Sequence, residues 1–168
     1  MGPSSLRLEL LRRRINQLTP PAIRIRPYEP SDWQRVCQIH DASRPEELEG
    51  SCDPRAFVPI EQDPEVAHLK KCRKLVAVLR GKVVGFVGID GDYLGWLYVD
   101  PDYYRRGIGR ELLQAGLAHI SGKAWTIALA GNHKALGLYT SAGFEEVNRY
   151  ESENAGYPCT CVRLERNI

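Results

Sequence analysis

A glycine-containing junction between a strand and a helix constrains this chain more than any other stretch. Residues 97–100 have the pattern of a strand end and residues 107–113 that of a helix start, with Gly107 and Gly109 at the turn. Backbone N–H groups at a helix start attract phosphate, and glycine lets a ligand approach the backbone closely. A purely steric turn also uses glycine, so the turn alone leaves both interpretations open.

Three arginines surround this turn, at positions 105, 106 and 110. Positive charge beside a helix N-terminus favours phosphate through charge-assisted hydrogen bonds. Arginines are equally common on a solvated helix face, so their role depends on the fold around them.

The composition is typical of one globular domain with one core. Of the 168 residues, 43% are hydrophobic and 26% are charged, and the formal net charge of +2 is too small to favour nucleic-acid binding. Because no apolar run approaches membrane-spanning length, we expect no membrane span, and we expect no secretory signal. The five cysteines are odd in number and scattered, which predicts free thiols in a reducing compartment and hence a cytoplasmic protein.

The first 21 residues differ from the rest of the chain in their pattern of apolar and basic residues. Residues 5–18 place leucine and isoleucine on one helical stripe and arginines on the others, which predicts an appended amphipathic helix. We expect this helix to dock on the domain itself or on a second copy in a homodimer. A membrane-surface or targeting role is the alternative. Pro20 and Pro21 end the helix, and the main domain is predicted to span residues 22–168.

The periodicity of the main domain predicts the order strand, two helices, three strands, helix, strand, helix and two strands. We expect the first helix at residues 31–42, a long connection or a short surface helix at residues 44–54, and a connection between the last two strands at residues 151–158. The strand at residues 125–129 can lie parallel to its predecessor, because a helix joins them. A glycine turn that follows an antiparallel meander argues against a dinucleotide fold, and no Gly-Lys-Ser/Thr follows the glycines.

A second motif occupies residues 132–144. Its fixed positions are Asn132, Ala135, Tyr139, Gly143 and Phe144. With both motifs in this order, the chain resembles the GNAT superfamily of acyl-CoA-dependent N-acetyltransferases over about residues 23–164. The first stretch is similar to the family's pyrophosphate loop, Gln/Arg-x-x-Gly-x-Gly/Ala. The second is similar to its Asn-x-x-Ala-x-x-x-Tyr-x-x-x-Gly-Phe helix.

The resemblance implies a fold and an activity. The fold is α/β (α+β), with a mostly antiparallel sheet of six to seven strands, helices on both faces and a splayed pair of central parallel strands. The activity is transfer of the acetyl group of acetyl-CoA, without a metal, to a primary amine by direct attack in a ternary complex. The acceptor stays open between a small-molecule amine and a protein lysine or N-terminus. A non-catalytic acyl-CoA-binding or sensing domain is the alternative, and transfer of a longer acyl group or transfer to a hydroxyl is a further one.

The resemblance also implies roles for individual residues. The loop would bind the CoA pyrophosphate, the backbone of the preceding strand would pair with the pantetheine arm, and Asn132 would hold the cofactor or the splayed strand. The implied cofactor-binding residues are Leu97, Tyr98, Val99, Arg105, Arg106, Gly107, Ile108, Gly109, Arg110 and Asn132. Tyr139 would be catalytic, because a phenol can protonate the departing thiolate and is itself neutral at physiological pH.

Two positions depart from the family pattern. Tyr104 stands where the family usually has Gln or Arg, which predicts weaker or rearranged phosphate contacts. Relatives that acetylate ribosomal protein N-termini usually carry a glutamate at the position of Ile127. This difference argues against acetylation of protein N-termini by this chain. The general base therefore stays open between Asp92, Tyr93 and a chain of water molecules.

Acidic residues are frequent in the two segments where the family usually binds its acceptor. They are Glu46, Glu47, Glu49, Asp53, Glu151 and Glu153. Such charges could attract a cationic amine, or they could be ordinary solvated surface residues.

Overall fold

The computed structural model describes residues 7–10 and 21–168. Residues 7–10 are helical, and the rest of the predicted N-terminal amphipathic helix lies outside the described residues. In the part of the chain that is described, no helix has the length and apolar character needed to cross a bilayer.

Seven strands form a single mixed sheet. They are β1 (Arg24–Pro27), β2 (Arg73–Leu79), β3 (Lys82–Asp90), β4 (Tyr93–Val99), β5 (Lys123–Leu129), β6 (Glu145–Asn154) and β7 (Tyr157–Asn167). Their spatial order is β1-β2-β3-β4-β5-β7-β6. Only β4 and β5 are parallel, and the other neighbours are antiparallel. The predicted mixed, mostly antiparallel sheet is confirmed.

Four α-helices cover the two faces of this sheet. They are α1 (Trp33–Leu48), α2 (Val66–Lys71), α3 (Ile108–Leu117) and α4 (His133–Ser141). Alternate residues of each strand point to opposite faces, so β2 contributes Ala77 to one core and Val76 to the other. Helices α3 and α4 pack on the first core, and α1 and α2 pack on the second.

Two of the predicted segment boundaries are wrong. Helix α1 continues through residues 44–48, because Leu48 is fully buried and supplies tertiary packing that the polar local sequence does not reveal. The expected long connection at residues 151–158 is also wrong. β6 and β7 extend to a two-residue turn at Ala155 and Gly156, whose φ angles of 47° and 80° suit a tight hairpin.

The parallel strands β4 and β5 pair at one position and then separate. Tyr93 is opposite Trp125, and the Trp125 N–H donates to the Asp92 carbonyl at 3.1 Å. One residue further along β5, the buried Thr126 hydroxyl donates to the Leu94 carbonyl at 2.7 Å. The predicted splayed pair is therefore present. Where the two backbones stop pairing, the Thr126 side chain supplies the hydrogen bond to β4.

A β-bulge in β4 coincides with the point of separation. The register between β3 and β4 passes from Ile89 opposite Leu94 to Gly88 opposite Trp96, so Gly95 is the extra residue. A Cβ at Gly95 would lie only 2.7 Å from the Tyr93 ring, so any other residue here would displace that ring from its stack on Trp125. Bulges bend a strand and increase its twist, which here directs β4 away from β5.

Replacing Thr126 with Val tests the hydrogen bond at the separation. The substitution keeps the shape of the side chain but leaves the buried Leu94 carbonyl without its donor, so we expect the free energy of unfolding to fall by about 1–3 kcal/mol. Urea denaturation measures this loss, and Thr126→Ser, which keeps the hydroxyl, serves as the control. A Thr126→Val variant as stable as the parent would show that the hydrogen bond contributes nothing.

Candidate active site

A cleft of about 670 Å³ opens where β4 and β5 separate. It is bounded by the C-terminal turns of α1, the loop between β4 and α3, and the start of α4. The predicted site residues that line it are Leu97, Tyr98, Val99, Arg105, Gly107, Ile108, Gly109, Asn132 and Tyr139. The predicted residues Arg106 and Arg110 are not part of its lining, and the Arg106 guanidinium instead lies 5.2 Å from the centre of the Tyr103 ring.

Two residues with left-handed backbone conformation shape the loop before α3. Arg105 has a φ of 61°, and Gly107, the N-cap of α3, has a φ of 77°. No side chain in the described part of the chain caps this helix, so the N–H groups of its first turn stay available at the edge of the cleft. Such an end carries partial positive charge and is suited to binding an anion.

An ion pair with helix α1 holds the end of β4 and the start of this loop in place. The buried Asp100 carboxylate accepts from the Arg35 guanidinium and, at 3.0 Å, from the Asp102 N–H. Arg35 also donates from Nε to the Val83 carbonyl of β3 at 2.8 Å. The loop is thus held by a charged contact to one helix and by a turn of its own backbone.

Tyr104, the departure from the family pattern, makes contacts on both sides of the cleft. The Lys134 ammonium of α4 lies 4.9 Å from the centre of its ring, and Lys134 also contacts Glu46 of α1 at 2.6 Å. Burial raises the pKa of Tyr104 to about 12, with hydrogen bonding to Glu46 acting in the same direction. The phenol therefore remains protonated at neutral pH and joins the loop to α1 and α4.

Tyr139 projects from α4 and is almost fully buried, with 6% of its surface exposed. Its ring packs edge-on against Phe144 at a centroid distance of 5.4 Å. Burial raises the pKa of its phenol well above the ordinary value, while the nearby Thr126 hydroxyl acts in the opposite direction. The hydroxyl therefore carries its proton at neutral pH. Asn132 caps α4, since its side chain accepts from the Ala135 N–H at 3.1 Å.

Neither side chain considered as a base from sequence lines the cleft. Asp92 accepts from the Trp125 indole N–H at 2.9 Å at the paired end of β4. Tyr93 stacks on Trp125 at 4.1 Å, and burial raises its pKa to about 12. Both lie where β4 and β5 are still together.

Three of the six acidic residues singled out from sequence form an ion pair with a basic side chain. Glu46 pairs with Lys134, Glu47 pairs with Arg44, and Asp53 pairs with Arg55. A neighbouring cation therefore neutralises half of these carboxylates, which weakens the argument for attraction of a cation by charge alone.

Sequence reasoning missed a half-buried polar cluster of Arg44, Glu47 and Tyr98. The Tyr98 hydroxyl donates to Glu47 Oε2 at 2.7 Å, and Arg44 Nη1 lies 2.7 Å from the same oxygen. The i,i+3 spacing of Arg44 and Glu47 was the available signal, but it matters only if α1 extends this far. Among the described residues, no group of three or more His, Cys, Asp or Glu side chains is arranged to hold a metal ion.

These features define a class of protein: an α/β domain whose splayed parallel strands open a cleft beside an anion-binding loop. The family model of the acetyltransferase (GNAT) domain matches residues 70–146. A GCN5-related N-acetyltransferase structure from Rhodopseudomonas palustris superposes with a TM-score of 0.74 at 25% identity, covering 89% of this chain and 97% of that one. The chain belongs to the GNAT superfamily.

Individual relatives match over part of their length. The uncharacterized N-acetyltransferase YafP of Escherichia coli is 32% identical over 95 residues, which are 55% of this chain and 63% of YafP. The peptidyl-lysine N-acetyltransferase YjaB of the same organism is 31% identical over 85 residues, covering 51% of this chain and 57% of YjaB. The chain thus spans about six tenths of the length of these curated relatives.

A second solved structure shares the fold at lower identity. The structure of YncA of Salmonella typhimurium, determined with its cofactor acetyl-CoA, has a TM-score of 0.66 at 16% identity, covering 87% of this chain and 94% of that one.

Removing the Asp100 carboxylate tests how the loop is held. We expect Asp100→Ala to lower the free energy of unfolding by about 3 kcal/mol, because it leaves Arg35 without its buried partner. Asp100→Asn keeps an acceptor for the Asp102 N–H, so its loss should be smaller. Urea denaturation of both variants at neutral pH gives the comparison, and an Asp100→Ala variant as stable as the parent would contradict this account.

Proposed function

We propose that this chain is an N-acetyltransferase that transfers the acetyl group of acetyl-CoA to a primary amine by direct attack in a ternary complex. The observation that carries the proposal is the single pairing of Tyr93 with Trp125, after which β4 and β5 separate into the cleft. Among the described residues, no strand pairs with the β5-facing edge of β4 from Leu94 onward. An extended ligand with amide groups can satisfy that edge as an added strand would.

The positions of the two motifs support acetyl-CoA as the ligand. The loop with Gly107 and Gly109 lies at one part of the cleft and Tyr139 at another, so a diphosphate and a thioester can be held at the two places together. The acetyl-CoA in YncA, which has the same fold, supports this choice of ligand. The names of YafP and YjaB support an amine as the acceptor.

The chain's own groups would contribute in three ways. The cleft holds both reactants in one place, which removes most of the entropic cost of their encounter. A free backbone N–H on the β5-facing edge of β4 would stabilise negative charge on the acetyl oxygen. Tyr139 would protonate the departing sulfur. When bound, acetyl-CoA supplies the acetyl group as an activated thioester.

The assembly and cellular location are predictions of the same proposal. A homodimer through the N-terminal helix and a cytoplasmic location both remain expectations from sequence. All five cysteines lie in the described part of the chain and are free thiols, which supports a reducing compartment.

Replacing Tyr139 with Phe tests the assignment of the proton donor. We expect kcat to fall by about 100-fold or more, the usual contribution of general acid catalysis, while the affinity for acetyl-CoA changes little. The assay is release of free CoA with a panel of spermidine, a lysine-containing peptide and a peptide with a free α-amino group. Isothermal titration gives the affinity for acetyl-CoA.

Tyr28→Phe is the matched control, since Tyr28 lies against Lys74 outside the cleft. A Tyr139→Phe enzyme with parental kcat would reject Tyr139 as the acid. A parent chain that binds acetyl-CoA but releases no CoA with any amine would instead favour the non-catalytic binding domain.

A further inference from the structure

The attacking amine must lose a proton, and three carboxylates line the cleft that could receive it. They are Glu46, Glu47 and Glu49. Glu46 is exposed and is bound by Lys134 at 2.6 Å, and Glu49 is also exposed. Glu47 is the recessed one, with 20% of its side chain exposed. Burial and lining of the cleft therefore single out Glu47.

The contacts of Glu47 leave one of its oxygens for a ligand. Tyr98 Oη and Arg44 Nη1 both contact Oε2, at 2.7 Å each. Within residues 21–168, no group donates a hydrogen bond to Oε1. Arg44 is itself held by the Asn154 side chain of β6. The carboxylate is thus fixed in orientation from one side, which is the arrangement that a positioned base requires.

The charge of Glu47 acts on the proposed acid. Burial is the largest cause of the raised pKa of Tyr139, and the Glu47 carboxylate raises it further. It has the same effect on Tyr98, whose pKa is raised first by burial and then by Glu47. A carboxylate and a protonated phenol therefore face the same cleft from α1 and α4.

We propose that Glu47 is the catalytic base that accepts the proton of the attacking amine, with Tyr98 and Arg44 as its positioning residues. This inference rests on the proposed N-acetyltransferase function. As the nitrogen–carbon bond forms, one N–H proton passes to Glu47, directly or through water. As the carbon–sulfur bond breaks, the Tyr139 proton passes to sulfur. Exchange with solvent then removes the proton from Glu47 and restores the one on Tyr139.

Two substitutions at Glu47 separate a base from a structural residue. Glu47→Gln keeps the size and an acceptor for Tyr98 but cannot take up a proton. Glu47→Asp keeps the carboxylate but is shorter. A base predicts that kcat follows the order parent, Asp, Gln, with Gln lower than the parent by about 100-fold or more. A structural role predicts that Gln is the better tolerated of the two.

The assay uses the most active amine of the panel, with acetyl-CoA affinity and thermal unfolding measured for each variant. Glu146→Gln is the matched control, because Glu146 pairs with Arg149 at the same i,i+3 spacing on β6, outside the cleft. Tyr98→Phe should lower kcat less than Glu47→Gln does, since it only loosens the carboxylate. Acetyl-CoA affinity should remain within about threefold of the parent in all variants.

The outcomes distinguish this inference from the proposed function. Release of CoA by the parent together with an equally active Glu47→Gln variant would overturn the role of Glu47 alone. A loss of kcat in Glu47→Gln that is matched or exceeded in Glu47→Asp would also overturn it. A parent that releases no CoA would overturn the acetyltransferase activity, and the base with it.

Discussion

The separation of β4 from β5 is the constraint on which the rest of this structure depends. Neighbouring strands in a sheet normally satisfy each other's backbone groups along their full length. Here the two strands share one pairing, at Tyr93 and Trp125, before the extra residue Gly95 turns β4 away. Thr126 satisfies the first carbonyl exposed by the separation. The edge that remains is the surface to which the proposed function assigns acetyl-CoA.

Contacts with helix α1 stabilise the part of β4 that has no strand beside it on the β5 side. Three side chains along this helix contact the second half of β4 or the residue after it. The pairs are Arg35 with Asp100, the Ser43 hydroxyl with the Val99 carbonyl, and Glu47 with the Tyr98 hydroxyl. The same helix therefore stabilises an incomplete strand and brings a carboxylate to the cleft. The contacts that stabilise β4 therefore include the one that positions the proposed base.

Local sequence patterns predicted the parts of the site that are local. The turn at Gly107 and the helix with Tyr139 follow from glycine chemistry and helical spacing, and the structure has both elements where they were expected. The polar cluster around Glu47 could not be predicted, because it needs α1 to continue through Pro45 and needs Tyr98 to face that helix. These features depend on long-range packing, which the residue pattern within the segment does not reveal.

The central claim is that acetyl-CoA binds as an added strand along the free edge of β4. Amide hydrogen exchange with and without acetyl-CoA tests it most directly, because a ligand that pairs with backbone groups slows the exchange of those same amides. The account predicts new protection within residues 96–99 and 107–110, and little change on the distant strand β6. Saturating acetyl-CoA that leaves the exchange of residues 96–99 unchanged would contradict it.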